Sequence, residues 1–125
     1  MKQLLAIVFV TMFSVFSFAQ TKEALGKECI HQLFEEENYK KVHAMFSDDF
    51  KTKLTEAKLS QTGAAFEALG DYQGIIEVNK DENGNYYYYV RFEKQSMDVI
   101  ISFDNNNKIK GLMISSEHKE FKKKK

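Results

Sequence analysis

Hydrophobic residues in the first half of the chain recur every three to four positions, which is the spacing of one face of an α-helix. Leu25, Cys29 and Leu33 form such a stripe. They predict a first helix over residues 21–37, and Asn38 interrupts the pattern.

Three shorter helical segments are predicted to follow. Hydrophobic spacing over residues 39–46 predicts a short helix, and Ser47 is placed to cap a further turn that carries Phe50. Thr55 is a good N-cap for the next helix, and Gly70 is placed to end that helix in a left-handed conformation.

From Gly74 onward the hydrophobic period changes to two, which predicts β-strands. Short, polar connections join these strands, so we expect an antiparallel meander. Helices followed by a meander predict the α+β class, with the helices packed on a four-stranded sheet. The predicted strands span residues 75–80, 85–94, 97–103 and 108–117.

The first hairpin is predicted to turn through a three-residue loop, 82–84, with Gly84 in the left-handed region. This loop sets Val78 opposite Tyr88 and Ile76 opposite Val90. A two-residue turn would instead place the charged Glu77 opposite Val90, which is less favourable.

The second hairpin is predicted to use a four-residue loop, 93–96. This length joins the hydrophobic faces of the two strands and sets Arg91 opposite Asp98, as a cross-strand ion pair on the outer face. A two-residue loop would place Glu93 opposite Asp98, and two like charges would then face each other.

Four consecutive tyrosines, 86–89, are the most distinctive local feature. Alternate residues of a strand point to opposite faces, so Tyr86 and Tyr88 lie on the inner face with Phe92, where Ile101 of the next strand joins them. Two interpretations stay open for the inner-face set of Tyr86, Tyr88, Phe92 and Ile101. They form either a packed core or an aromatic-lined pocket for a small apolar ligand.

The outer face carries Tyr87, Tyr89 and Ile100, which is unusually apolar for a sheet face opposite the helices. A partner that covers these residues would explain them, and we expect a homodimer through the sheet. The alternative is that tyrosine tolerates solvent, since its hydroxyl is polar.

Residues 1–19 have the pattern of a cleavable export signal. Lys2 is followed by a hydrophobic run, and Ser17 and Ala19 put small residues at the positions that precede a cleavage site. The run is short for a membrane span, and Gln20 stands where a lipoprotein would have Cys. We therefore expect a periplasmic or secreted protein without a membrane anchor, with one domain over residues 20–121 and a basic tail over 122–125.

Composition argues against nucleic acid as a partner and against a bound metal ion or cofactor. The chain has 18 acidic and 18 basic residues, so it lacks the excess of positive charge that nucleic-acid binding requires. Cys29 is the only cysteine, no His or Cys stands near it at ligand spacing, and we predict neither a metal site nor a cofactor.

No residue pattern predicts catalysis. His31, His43, Arg91 and Asp98 are the acid and base candidates, but nothing in their spacing brings two of them to one substrate proton. We therefore assign no catalytic residue.

Three short stretches resemble a known family: 34–42 (FEEENYKKV), 69–72 (LGDY) and 108–112 (KIKGL). The chain resembles exported domains of unknown function that stand alone or precede secreted α/β-hydrolases. The resemblance implies a cystatin-like, nuclear transport factor 2-like fold with a curved sheet, and it brings no catalytic residues.

The sequence thus predicts an exported, non-catalytic domain that binds a small apolar ligand or a protein partner. One alternative is a small enzyme that acts on a hydrophobic substrate in the cone between sheet and helices. Another, implied by the resemblance, is an accessory or inhibitory domain for a secreted hydrolase.

Overall fold

The computed structural model describes residues 21–121, and both the predicted export signal and the predicted basic tail lie outside this range. Four α-helices precede a four-stranded sheet, which confirms the α+β class. The helices are α1 (Lys22–Ile30), α2 (Tyr39–Ala44), α3 (Asp48–Lys53) and α4 (Glu56–Phe66). None of the described helices has the length and apolar character that a membrane crossing needs.

Each α-helix begins at a residue whose side chain accepts a hydrogen bond from a backbone N–H three positions later. This contact satisfies one of the amide groups that have no partner within the helix. The N···O distances run from 3.1 to 3.3 Å. The caps and their donors are Thr21 with Ala24, Asn38 with Lys41, Ser47 with Phe50, and Thr55 with Lys58.

The first helical stretch ends in a π-helical turn, His31–Glu35, rather than in regular α-helix as the periodicity predicted. The N–H of Glu36 donates to the carbonyl of His31 over 3.0 Å, which is the i to i+5 bond of a π-turn. Glu37 then takes a positive φ of 54°. Two consecutive residues of this turn face the core, since Leu33 is buried in it and Phe34 packs against it.

The sheet is an antiparallel meander in the order β1-β2-β3-β4. The strands are β1 (Tyr72–Lys80), β2 (Tyr86–Phe92), β3 (Ser96–Phe103) and β4 (Ile109–Ser115).

The first hairpin has the predicted loop, with Gly84 at a φ of 84° and Val78 opposite Tyr88. A bulge further along β1 shifts the register, so that Ile75 rather than Ile76 lies opposite Val90. Ile76 is 48% exposed as a result.

The predicted register of the second hairpin was wrong by two residues. Arg91 lies opposite Ser96, and Tyr89 lies opposite Asp98, so no Arg91–Asp98 pair forms. The prediction assumed that Asp98 needs a cross-strand cation, whereas its carboxylate is satisfied by His118, twenty residues away in sequence. A slip of two residues keeps every side chain on its predicted face.

The hydrophobic core lies between the inner face of the sheet and the helices. Tyr88 is its largest fully buried side chain, and its hydroxyl donates to the backbone carbonyl of Glu23 in α1 over 2.9 Å. The helical half of the chain completes this core with Cys29, Ile30, Leu33, Val42, Phe46 and Leu59.

Candidate functional site

A cavity of about 570 Å³ opens beside this core, where the π-turn, the end of α4, the start of β1 and the end of β2 meet. Its size falls within the roughly 300–1,000 Å³ that is typical of small-molecule sites. Its lining comprises Leu33, Phe34, Glu35, Glu37, Gly63, Phe66, Glu67, Gly70, Asp71, Tyr72 and Phe92.

Four aromatic rings form the apolar part of the cavity. The ring of Phe34 meets Phe66 and Phe92 edge to face, with centroids 5.3 and 5.0 Å away, and it stacks on Tyr72 at 5.9 Å with the ring planes inclined by 29°. Phe66 stacks on Phe92 at 5.6 Å. These are the offset and T-shaped arrangements that aromatic pairs prefer, so the rings hold one another in place.

Four carboxylates surround these rings: Glu35, Glu37, Glu67 and Asp71. All four residues are exposed. Among the described residues, none of these carboxylates forms an ion pair or a side-chain hydrogen bond, and the lining contains no Lys, Arg or His. The cavity mouth therefore carries uncompensated negative charge.

The negative charge of these carboxylates contributes to raised pKa values of two nearby tyrosines. Burial, and then the Glu35 carboxylate, raise the pKa of Tyr72 above its usual value. Burial raises the pKa of Tyr39 too, and the carboxylates of Glu37 and Glu67 add to that effect. A nearby negative charge disfavours a phenolate, so the same field favours a cation.

Gly63 shapes the side of the cavity that faces α2. A methyl group at this position would overlap the Tyr39 hydroxyl, so glycine lets the tyrosine approach the α4 backbone.

The four residues predicted as a ligand site do not all reach this cavity. Phe92 lines it. Tyr88 and Ile101 are fully buried in the core, and Tyr86 lies against Tyr88 and Phe103, with centroid distances of 6.4 and 5.8 Å.

Sequence reasoning missed Phe34, Phe66 and Tyr72 as site residues. A signal for two of them was present, because the stretches 34–42 and 69–72 that carry the family resemblance converge on the cavity. Phe66 belongs to neither stretch, and only the fold brings it there.

The outer face of the sheet is partly covered by the chain's own residues 116–121. The His118 ring stacks on Tyr89 with centroids 3.7 Å apart, and the Phe121 ring meets Tyr87 edge on at 5.2 Å. Ile100 is half-buried, whereas Met113, opposite it in β4, is 65% exposed. The predicted homodimer through Tyr87, Tyr89 and Ile100 stays a prediction.

The other titratable candidates are dispersed. His31 lies 3.4 Å from Glu36 at the surface, and a ring nitrogen of His43 lies 3.1 Å from the Lys51 carbonyl oxygen. Arg91 donates to the side chain of Gln73 over 3.0 Å. Within residues 21–121, no group of three or more His, Cys, Asp or Glu side chains is arranged to hold a metal ion.

A family model described as "Protein of unknown function (DUF3887)" matches residues 28–112, which is more than half of the chain. The chain belongs to the DUF3887 family. This membership confirms the resemblance to a family of unknown function. The cystatin-like naming of the fold and the association with hydrolases stay predictions.

All residues that line the cavity lie within the stretch that matches the DUF3887 model, whereas His118 and Phe121 lie beyond it. A search of curated proteins found no match, and a search of solved structures found none either.

Proposed function

We propose that this DUF3887 domain is a non-catalytic binding domain, which holds the apolar part of a small ligand against the rings of Phe34, Phe66, Tyr72 and Phe92. The observation that carries the proposal is the cavity itself. The cavity has the size and the concave shape of a small-molecule site, and its wall combines aromatic rings with four carboxylates, so it is more polar than most such sites.

The aromatic rings support the proposal, since Phe34, Phe66 and Tyr72 are only half-buried and keep some surface accessible to a ligand. Each ring that a ligand covers is removed from water, which contributes roughly 25 cal/mol per Å² of apolar area. The rings are also held by one another, so a ligand would not have to order them at its own cost.

The backbone beside the cavity supports it as well. A π-turn at His31–Glu35 and the positive φ of Glu37 lie along one wall. Both features cost free energy compared with regular helix, and both occur preferentially at functional sites.

We further propose that the domain acts outside the cytoplasm, as a periplasmic or secreted protein. The hydrophobic run of residues 1–19, with small residues before Gln20, supports this setting.

The test is an NMR titration of the protein with 4-tert-butylphenol, an apolar aromatic probe. The protein is used in the form in which it is purified from the cells that produce it. We expect saturable NMR shifts that are confined to the signals of the cavity residues. The variant Phe66→Leu should weaken binding several-fold, because it removes one stacking surface.

Phe50→Leu is the matched control. Phe50 is also partly buried and packs on another ring, Phe46 at 4.6 Å, but it does not line the cavity. Equal affinity in the two variants, or the absence of saturable shifts in the wild type, would contradict the proposal.

A further inference from the structure

The cavity combines aromatic rings with negative charge and with no positive charge. Its lining includes four aromatic side chains and four carboxylates, and no Lys, Arg or His. An anionic ligand would find no cationic partner there and would meet four like charges. A neutral ligand would use only the rings.

A cation would gain from both parts of the lining. The faces of Phe and Tyr rings attract a positive charge within about 6 Å of the ring centroid, and aromatic sites recognise ammonium groups in this way. Carboxylates at the mouth add a longer-range attraction, which depends on salt because these groups are exposed.

The carboxylates approach the cavity from three elements. Glu35 lies in the π-turn, and Glu37 follows it by two residues. Glu67 begins the 3₁₀ turn that follows α4, and Asp71 directly precedes β1. None of them forms an ion pair within the described chain, so all four remain available to attract a cation at the cavity mouth.

We infer that the ligand of this cavity is a small organic cation, in which an ammonium group is joined to an aromatic or branched apolar group. This inference rests on the proposed function, and it adds the charge of the ligand. The apolar group packs against the rings, and the ammonium lies between the rings and the carboxylates.

The test compares two ligands of the same shape: 4-tert-butylphenol and (4-hydroxyphenyl)trimethylammonium. They differ in one central atom, carbon in the first and positively charged nitrogen in the second. At mildly acidic pH the phenol hydroxyl of each compound stays protonated, so the ammonium charge is the only difference in charge between them. We expect the cation to bind about tenfold more tightly, an advantage of the size that cation–π contacts and partly desolvated charges supply.

Charge removal in the protein gives the second arm. The double variant Glu67→Gln/Asp71→Asn should weaken binding of the cation about three- to tenfold and should leave the affinity for 4-tert-butylphenol within twofold. The control Glu82→Gln/Glu120→Gln removes two exposed acids that do not line the cavity, and it should change neither affinity.

The outcomes separate the two claims. If neither compound binds in the cavity, the proposed binding function fails. If 4-tert-butylphenol binds as tightly as the cation, or if the Glu67→Gln/Asp71→Asn variant binds the cation as well as the wild type does, the cavity is a binding site and the inferred charge of its ligand is wrong.

Discussion

The carboxylate of Asp98 accepts a hydrogen bond of 2.8 Å from Nδ1 of His118. Asp98 is only 1% exposed, although it lies on the outer face of the sheet, and it also accepts the backbone N–H of Lys119 over 2.8 Å. On its other side, His118 places Nε2 3.8 Å from the carboxylate of Glu77. These contacts hold residues 116–121 against the outer face of the sheet.

We therefore expect His118→Ala to lower the free energy of unfolding by about 1–3 kcal/mol, since it leaves a buried carboxylate short of a donor. Urea unfolding measures this change, and hydrogen exchange at the Lys119 amide should accelerate. His118→Asn, which can still donate near the Nδ1 position, should restore part of the loss.

His31→Ala is the control for that experiment, because His31 forms only an exposed pair with Glu36. Its effect should stay within about 0.5 kcal/mol. An equal loss of stability in the two alanine variants would contradict the role assigned to Asp98 and His118.

Close packing of Tyr88 on Gly26 gives a second prediction. A methyl group at position 26 would overlap the tyrosine hydroxyl, so Gly26→Ala should destabilise the protein by at least about 1 kcal/mol, despite the better helix propensity of alanine. Thermal or urea unfolding tests this. In Gly111→Ala the new methyl meets Ser102 at an ordinary 3.5 Å, so this control should be nearly neutral.

The double variant Gly26→Ala/Tyr88→Phe tests the cause. Removal of the hydroxyl relieves part of the overlap, so the double variant should be more stable than the sum of the single losses predicts. Strict additivity would show that the destabilisation has another origin.

Alkaline pH should destabilise the fold through Cys29. Burial raises the pKa of its thiol from 9.0 to about 12, and the nearby Glu28 adds to the effect. The unfolded chain therefore loses this proton first, and the free energy of unfolding falls as the pH rises above about 9, by up to about 1.4 kcal/mol per pH unit.

Urea unfolding between neutral pH and about pH 10 measures this slope. Cys29→Ala should give a shallower slope above pH 9, whatever its stability at neutral pH. Above pH 10 the raised pKa of Tyr88, caused mainly by burial, steepens the fall in both proteins. Parallel curves for the two proteins between about pH 9 and pH 10 would contradict this assignment.

The predicted export signal can be tested by measuring the mass of the intact protein. The protein recovered outside the cytoplasm should begin at Gln20, and Ala19→Arg should block this cleavage, since the position before the cut requires a small residue. A recovered chain that begins at Met1 would contradict the proposed signal.

Local patterns were sufficient to predict the order of the helices and strands and the faces of β2 and β3. They did not predict the bulge that leaves Ile76 exposed in β1 or the π-turn at His31–Glu35. The caps at Ser47 and Thr55 and the loop at Gly84 were also predictable, because each depends on neighbouring residues. The second hairpin was not, since Asp98 is satisfied from a distant part of the chain.

The cavity depends even more on tertiary structure. Phe34, Phe66 and Tyr72 come from a π-turn, a helix and a strand, and no local pattern shows that their rings meet. The sequence pointed instead to a ligand site at the tyrosine run, whereas Tyr88 is a fully buried core residue.

The most direct test of the binding site is a measurement of nuclear Overhauser contacts between the protein and the methyl protons of bound (4-hydroxyphenyl)trimethylammonium. Our account predicts contacts with the ring protons of Phe34, Phe66, Tyr72 and Phe92, which surround the cavity. Contacts confined to other parts of the surface, or none at a concentration where 4-tert-butylphenol already gives them, would contradict a cation site built from these rings.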